Sequence, residues 1–207
     1  MSRSYGQYCG LARALDVVGD RWNLLIVRQL LMGPARYREL LDGLPGVATN
    51  LLADRLRDLE TAGVVERRLA GEGNAIVYAL TPWGAGLRQP IEGLIRWSTP
   101  LMVRGAEGDV FHAEWFAVAL PALLGDRVAA DGAATVGLVV NDVIVQVGTS
   151  TSGLDVRLHD GRDLDAVVRA DVSIILGLAA GVLALDEVLG VVDVEGDEAA
   201  VRAVFGS

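Results

Sequence analysis

Asn50, Asp54, Arg57 and Thr61 recur at three- and four-residue spacing within the stretch Thr49 to Gly63, with Ala53 between them. On a 3.6-residue period they fall on one side, and Leu51, Leu52, Leu56 and Leu59 fall on the other. A row of short, mostly hydrogen-bonding side chains suits recognition of a polar surface. Arg57 faces outward, where its fork can meet a guanine edge or a phosphate. Equally, it can pair along the helix, where Asp54 and Thr61 are its neighbours. Arg55 falls between Leu51 and Leu59, which favours an inward-leaning ion pair first and a phosphate contact second. Asn50 stands near a helix start, where main-chain N–H groups attract anions, and is a candidate reader of base edges. Thr49 is the expected N-cap. Arg36 and Arg38 flank Tyr37 at the start of the preceding segment and can reach a phosphate backbone, with Tyr37 also suited to simple packing.

Other reactive side chains are sparse. Cys9 is the single cysteine, which excludes an internal disulfide and fits a reducing compartment. A sensor role would need a depressed thiol pKa, for which Arg13, one helical turn away, is the nearest cation. The alternative is a small buried residue at a subunit seam. His112 and His159 have no second His or Cys at ligand spacing, so no metal site is expected. Neither has a nucleophile and orienting acid around it, so no catalytic residue and no cofactor are expected. Asp163 and Asp165 read as a solvated acidic turn.

The elements around the polar row have a recognisable order. Arg38 to Leu44 is a short apolar-periodic segment, separated from the row by Pro45-Gly46. Gly63 ends the second segment. The runs 64–68 and 76–80 flank Gly71-Glu72-Gly73-Asn74 as a hairpin. Helix, turn, helix and hairpin make a winged helix-turn-helix, whose second helix enters the DNA major groove. Leu11, Leu15 and Val18, then Trp22, Leu25, Ile26, Leu30 and Leu31, mark two supporting helices. Pro82 opens a further helix to about Trp97, with Leu87, Ile91, Leu94 and Ile95 on one face and Pro100 as its stop. That face has no partner among the reader's helices, which points to a second subunit.

Residues 9–22, Cys-Gly-Leu-Ala-Arg-Ala-Leu-Asp-Val-Val-Gly-Asp-Arg-Trp, resemble the opening of the HxlR-type transcriptional regulators. The similarity continues through 30–40, 44–47, 55–60 and 78–81, and covers about residues 8 to 100. It implies a dimer of winged helices, MarR/HxlR-like in fold, on a palindromic double-stranded DNA operator. It also implies that Cys9 stands where related regulators often carry a sensing cysteine. Gly10 replaces the family's usual Pro, and Ala48-Thr49 its usual Ser-Pro. The hairpin is about one residue shorter, with Ile76 near a usual Arg. Its tip offers Glu72 and Asn74 in place of a cation, which weakens the expected clamp on the backbone.

The second half follows another pattern. Phe111, Trp115, Phe116, Leu120, Leu123 and Leu124 form an apolar helical face, kinked or restarted at Pro121. Alternating apolar residues from Val136 to Leu158 make a three-strand meander, turned at Asn141-Asp142. Asp171 caps a helix expected to reach Leu183, a further turn covers Leu185 to Leu189, Val191 to Val194 is a short strand, and Asp197 caps a last helix. The runs 166–171, 185–189 and 194–197 resemble the sterol-carrier-protein fold over about residues 110 to 207. That resemblance implies a mixed sheet covered by helices and an apolar tunnel for a lipid-like ligand. Trp115, Phe116, Leu120, Val145 and Ala180 are its candidate lining, against the plainer role of core. Small residues at Gly177, Ala179, Ala180 and Gly181 leave either close packing or a cavity against the sheet.

Charge divides the chain at the same place. Residues 1–104 carry 13 Arg against 10 acids, and residues 105–207 carry 5 Arg against 17, so only the first half suits phosphate. The expected architecture is α+β, with a winged helix-turn-helix over residues 1–104 and a sterol-carrier-like domain over residues 105–207. The longest apolar run, Ile174 to Leu185, is about half of what a membrane span needs. A soluble, cytoplasmic homodimer without membrane insertion is the expectation. Its function is expected to be that of a repressor whose DNA affinity follows a hydrophobic small molecule or lipid. A thiol switch at Cys9, or a lipid carrier using the winged helix for protein contact, are the rivals.

Overall fold

In the computed structural model, residues 4–70, 75–102, 105, 108–125, 127, 133–150 and 153–206 are described. The chain divides into two compact units, Met1–Ile91 and Glu92–Ser207.

The first unit runs α1 (Gly10–Val18), α2 (Asn23–Leu31), α3 (Tyr37–Asp42), α4 (Thr49–Thr61), β1 (Val65–Ala70), β2 (Ala75–Leu80) and α5 (Pro82–Ala85), and α6 (Arg88–Met102) begins in it. Its core is built from the apolar faces of the helices: Ile26, Val27 and Leu30 of α2, Leu40 of α3, and Leu52, Leu56 and Leu59 of α4 are buried. Gly63 adopts the left-handed conformation (φ 74°), which turns the chain from α4 into the hairpin. The Val64 N–H then reaches the Leu59 carbonyl (2.9 Å) and the Gly63 N–H the Glu60 carbonyl (3.0 Å). These two bonds make a Schellman stop, closed by contact-competent apolar residues at Leu59 and Val64.

β1 and β2 pair antiparallel from Val65↔Leu80 to Ala70↔Ala75. The hairpin tip at Glu72 and Asn74 lies outside the described residues. Ala35 bridges Tyr78, with main-chain bonds of 3.0 and 2.8 Å, and so ties the entrance of α3 to the hairpin.

Three local expectations change. The N-cap of α4 is Ala48, not Thr49, and no side chain caps the helix. Thr49 is already helical, and its carbonyl accepts from the Tyr37 hydroxyl at 2.5 Å. The helix expected from Pro82 to Trp97 is broken into α5 and α6. Thr81 caps α5 through the Gly84 N–H (3.0 Å), and a Cβ on Gly84 would stand 2.0 Å from the Val64 carbonyl oxygen, so this turn is pressed onto the start of the hairpin. Pro90 then falls in the first turn of α6, where its missing N–H forfeits no helical bond. Pro100 does not stop α6, which continues to Met102. The proline lies in the last turn and breaks the ladder only near its end.

In the second unit, a 3₁₀ turn (Ala113–Trp115) leads into α7 (Phe116–Leu124), which passes through Pro121. The order is then β3 (Ala134–Val140), β4 (Val143–Ser150), β5 (Gly153–Leu158), β6 (Ala166–Arg169), α8 (Val172–Ala180), α9 (Leu185–Val188), β7 (Asp193–Gly196) and α10 (Glu198–Phe205). The strands form one mixed sheet in the order β5-β4-β3-β6-β7, with β3 and β6 parallel and the other pairs antiparallel. Asn141 and Asp142, at φ 50° and 62°, form the tight turn between β3 and β4.

Period-2 alternation sends Val136, Leu138, Val140, Val145 and Val147 into the core, beside Phe116, Leu120 and Leu124 of α7 and Val201, Val204 and Phe205 of α10. α8 ends at Ala180 rather than Leu183, because Gly181 takes the left-handed cap (φ 69°). The Arg127 guanidinium donates to the Leu178 and Ala179 carbonyls at 3.0 Å each and so helps to close the end of the helix, where the Leu178 carbonyl also accepts the Gly181 N–H (3.0 Å). Leu183 folds back over Gly177, where a Cβ would stand 2.7 Å from its Cδ1. The small residues at 177 and 181 therefore serve close packing and a cap.

Candidate nucleic-acid interface

The exposed face of α4 carries Thr49, Asn50, Asp54 and Arg57, with Thr61 one turn beyond. Their present partners are local. Arg57 Nη1 lies 3.0 Å from Asp54 Oδ1, the Thr61 hydroxyl donates to the Arg57 carbonyl (2.8 Å), and Asn50 Oδ1 accepts from the Leu51 N–H (3.0 Å). Arg57 and Asp54 are both more than half exposed, so the pair is worth little and Arg57 can exchange it for another anion. The intrahelical pairing and the outward reach anticipated for Arg57 thus coexist.

Arg36 and Arg38, at the start of α3, are exposed as well. The Arg36 N–H donates to the Glu39 carboxylate (2.6 Å), which fixes the first turn of α3 and leaves both guanidinium groups outside it. Arg55 does not join this face. Its side chain is only 20% exposed and is held by Asp20 and by Asp58 (3.4 Å). On β1, Arg67 pairs with Glu60 (2.8 Å) and Arg68 with Glu66 (2.6 Å). These hairpin arginines were not singled out in the sequence, although their i,i+2-type neighbours and the end of α4 supply their acids.

Cys9 is exposed and is the N-cap residue of α1. The main-chain N–H groups of Ala12 and then Leu11 hold its thiol below the ordinary range. The helix start, and not Arg13, is the cause: Arg13 turns to Asp16 (3.6 Å). Beside it, a cleft of about 480 Å³ is lined by Gly10, Arg13, Val17, Val64, Trp83 and Leu87, among others.

The residues proposed to line a ligand tunnel have unequal surroundings. Phe116, Leu120 and Val145 are fully buried members of the second unit's core. Trp115 is half-buried, edge-on to Phe111 at 5.8 Å and stacked on His112 at 4.8 Å. Ala180 is half-buried in the last turn of α8. His159 Nδ1 lies 3.3 Å from Oε1 of Gln146, a buried polar side chain on β4 that the alternation of the strand did not reveal. Asp165 accepts from the Thr135 N–H (2.8 Å) and is a strand tie, not a solvated turn residue alone. Among the described residues no group of three or more His, Cys, Asp or Glu is placed to hold a metal ion, and no helix is long and apolar enough to cross a membrane.

A family model described as HxlR-like helix-turn-helix matches residues 17–105. The HTH-type transcriptional regulator YodB of Bacillus subtilis is 34% identical over 86 residues, which are 41% of this chain and 77% of YodB. The chain belongs to the HxlR-like helix-turn-helix family. YvaP, another HTH-type transcriptional regulator of Bacillus subtilis, is 38% identical over 88 residues, 42% of this chain and 82% of YvaP. A crystal structure of quinone-bound YodB aligns at 31% identity over 44% of this chain and 96% of its own, with a TM-score of 0.39. This HxlR-like chain is thus a DNA-binding transcription regulator. Cys9 precedes the matched span, and the mixed sheet follows it.

Proposed function

We propose that this regulator is a dimeric repressor that reads a palindromic operator with α4, its DNA affinity set by a hydrophobic molecule held in the second unit. The observation that carries the first part is the exposed polar face of α4, with Asn50 and Arg57 free to leave weak local partners. Asn50 and the main-chain N–H groups of the first turn meet base edges and phosphate, Arg57 a base edge or phosphate, and Arg36 and Arg38 the backbone.

Dimer formation draws support from apolar residues left uncovered on single helices. α1 exposes Leu11 and Leu15, and α6 exposes Leu94, Trp97 and Leu101 at helical spacing. Support for a hydrophobic effector comes from the mixed sheet covered by helices and from the sequence of strand, leucine-rich helix, acidic turn and capped last helix in residues 166–205. Mobility shift of the full-length protein on duplexes selected from a random pool, with and without a long-chain fatty acid, tests both parts. A selected palindrome and a fatty-acid-dependent shift are expected. No sequence selection would overturn the operator reading, and an unchanged shift would overturn the effector.

A thiol switch is the second reading, favoured by the exposure and lowered pKa of Cys9 at the start of α1. Alkylation of the native protein followed by the same shift assay separates it from ligand control. Cys9→Ser would then retain DNA binding after oxidant treatment while the parent loses it.

A further inference from the structure

The turn between α1 and α2 is built too tightly to be a passive linker. A Cβ on Gly19 would stand 2.4 Å from the Leu15 carbonyl oxygen. The buried Asn23 donates its side-chain amide to the Val17 carbonyl (2.9 Å) and its main-chain N–H to the Asp20 carbonyl (3.0 Å). Asp20 is thereby fixed at the end of α1, and its carboxylate grips the guanidinium of Arg55, thirty-five positions away on α4. Two residues on, the Trp22 ring lies 4.0 Å from where a Cβ of Gly46 would stand, in the turn that leads into α4. The same turn therefore lies near the approach to α4 and is tied to its middle.

Arg55 has a second carboxylate, Asp58, one turn along its own helix. The charge of Arg55 is consequently neutralised within α4 whether or not Asp20 is present. What Asp20 adds is a connection between two elements. The Asp20 side chain is 63% exposed, so that connection contributes little to overall stability. What it adds is geometric: it ties α4, already seated by Leu52, Leu56 and Leu59, to the turn that follows α1.

We propose that Asp20 and Arg55 are positioning residues for sequence reading, which hold α4 at the angle at which Asn50 and Arg57 reach base edges, without touching DNA themselves. The proposal rests on α4 being the reading helix. It differs from a phosphate role for Arg55 in a measurable way, because a lost phosphate contact lowers the salt dependence of binding while a misplaced helix lowers discrimination.

The test uses the full-length protein with a duplex selected from a random pool by the parent protein, against a duplex of scrambled sequence. Asp20→Asn is expected to reduce the affinity ratio between the two duplexes by about two- to fivefold, the scale of an exposed ion pair. The slope of log K against log salt on the scrambled duplex stays unchanged, and so does the melting temperature to within a degree or two, as expected for an exposed pair. Arg55→Gln produces the same loss, and the double variant no more than either single one. An unchanged ratio for Asp20→Asn overturns the proposal, as does a fall of about one in the salt slope for Arg55→Gln, which would make Arg55 a phosphate contact. Should the parent protein select no duplex, the assignment of α4 fails and the proposal with it.

Discussion

Arg55 and Arg57 sit two residues apart on α4 and have opposite surroundings. Arg57 is 70% exposed beside one exposed acid, whereas Arg55 is 20% exposed between two. Only the first can offer its charge to a duplex without abandoning a packed position. Arg57→Ala is therefore expected to weaken operator binding by about 1–3 kcal/mol where the contact is to a base edge. If it meets phosphate, the salt slope falls by about one across all sequences. Fluorescence anisotropy between low and physiological salt distinguishes the two, and no change in affinity, preference or slope would place the reading face elsewhere. Cys9 poses a comparable question of surroundings. Its thiol is held low by the Ala12 and Leu11 N–H groups, so thiolate forms at a lower pH than in an unstructured peptide. The pH midpoint for alkylation of native Cys9 is expected to lie below that of the unfolded chain, and coincident midpoints would remove the basis for a sensor.

At the scale of elements, α6 shows how far a periodic sequence can be read. Its apolar face was legible, but which residues on that face are already used was not, since that depends on what packs beside them. On the face read from the sequence Ile91 is buried and Leu94 exposed, and Trp97 and Leu101, which that reading does not place on it, are exposed as well. A seam test belongs on the exposed residues: Leu94→Asp with Trp97→Asp is expected to give monomers in sedimentation and to abolish operator binding, while circular dichroism stays native. Dimers that persist would move the seam away from α6. Some local signals held, and others did not: the cap of α4 and the expected ends of α6 and α8 shifted. The Asn141-Asp142 turn, the Gly63 stop, and the caps at Asp171 and Asp197 each depend on residues within a few positions of one another. The Asp20–Arg55 bridge and the hydrogen bond between Gln146 and His159 join residues that only folding brings together, and no spacing rule finds them. Asp171 gives a quantitative check. Its carboxylate is held below the ordinary range chiefly by the Ser173 hydroxyl, then by the Ser173 N–H. A depressed folded pKa means stability that is complete above the ordinary carboxylate range and is lost as pH falls through the folded value. Asp171→Ala should cost about 0.5–2 kcal/mol in urea melts at neutral pH, with the difference from the parent shrinking on acidification below the ordinary carboxylate range.

The whole chain combines a reader with a small positive charge and a second half with a strongly negative one, within a net charge of −9. Near physiological salt, charges more than about 8 Å apart in solvent are largely screened. The acidic half therefore leaves local phosphate contacts largely intact, provided it does not lie against the duplex. Charge alone gives the second half no means to report on a small molecule, so regulation requires a difference in ligand affinity between DNA-bound and free states. If a long-chain fatty acid weakens operator binding by a given factor, the operator must weaken fatty-acid binding by the same factor. A typical coupling of about 1–3 kcal/mol corresponds to roughly 5–150-fold, within reach of two titrations on the same preparation. The first measures operator affinity with the fatty acid absent and saturating. The second measures fatty-acid affinity with the selected duplex absent and saturating, using a scrambled duplex as control. Equal factors would establish that the second unit regulates the first. A fatty acid that binds, and raises the melting temperature, yet is indifferent to the operator would make the second unit a carrier joined to a reader. Absence of any thermal shift at a hundredfold excess over a micromolar dissociation constant, where about 2.7 kcal/mol of stabilisation is due, would exclude the fatty acid as ligand at that affinity. In that case the close contacts of Leu183 on Gly177 and of α7 and α10 on the sheet would be sufficient explanation of the second unit's apolar residues.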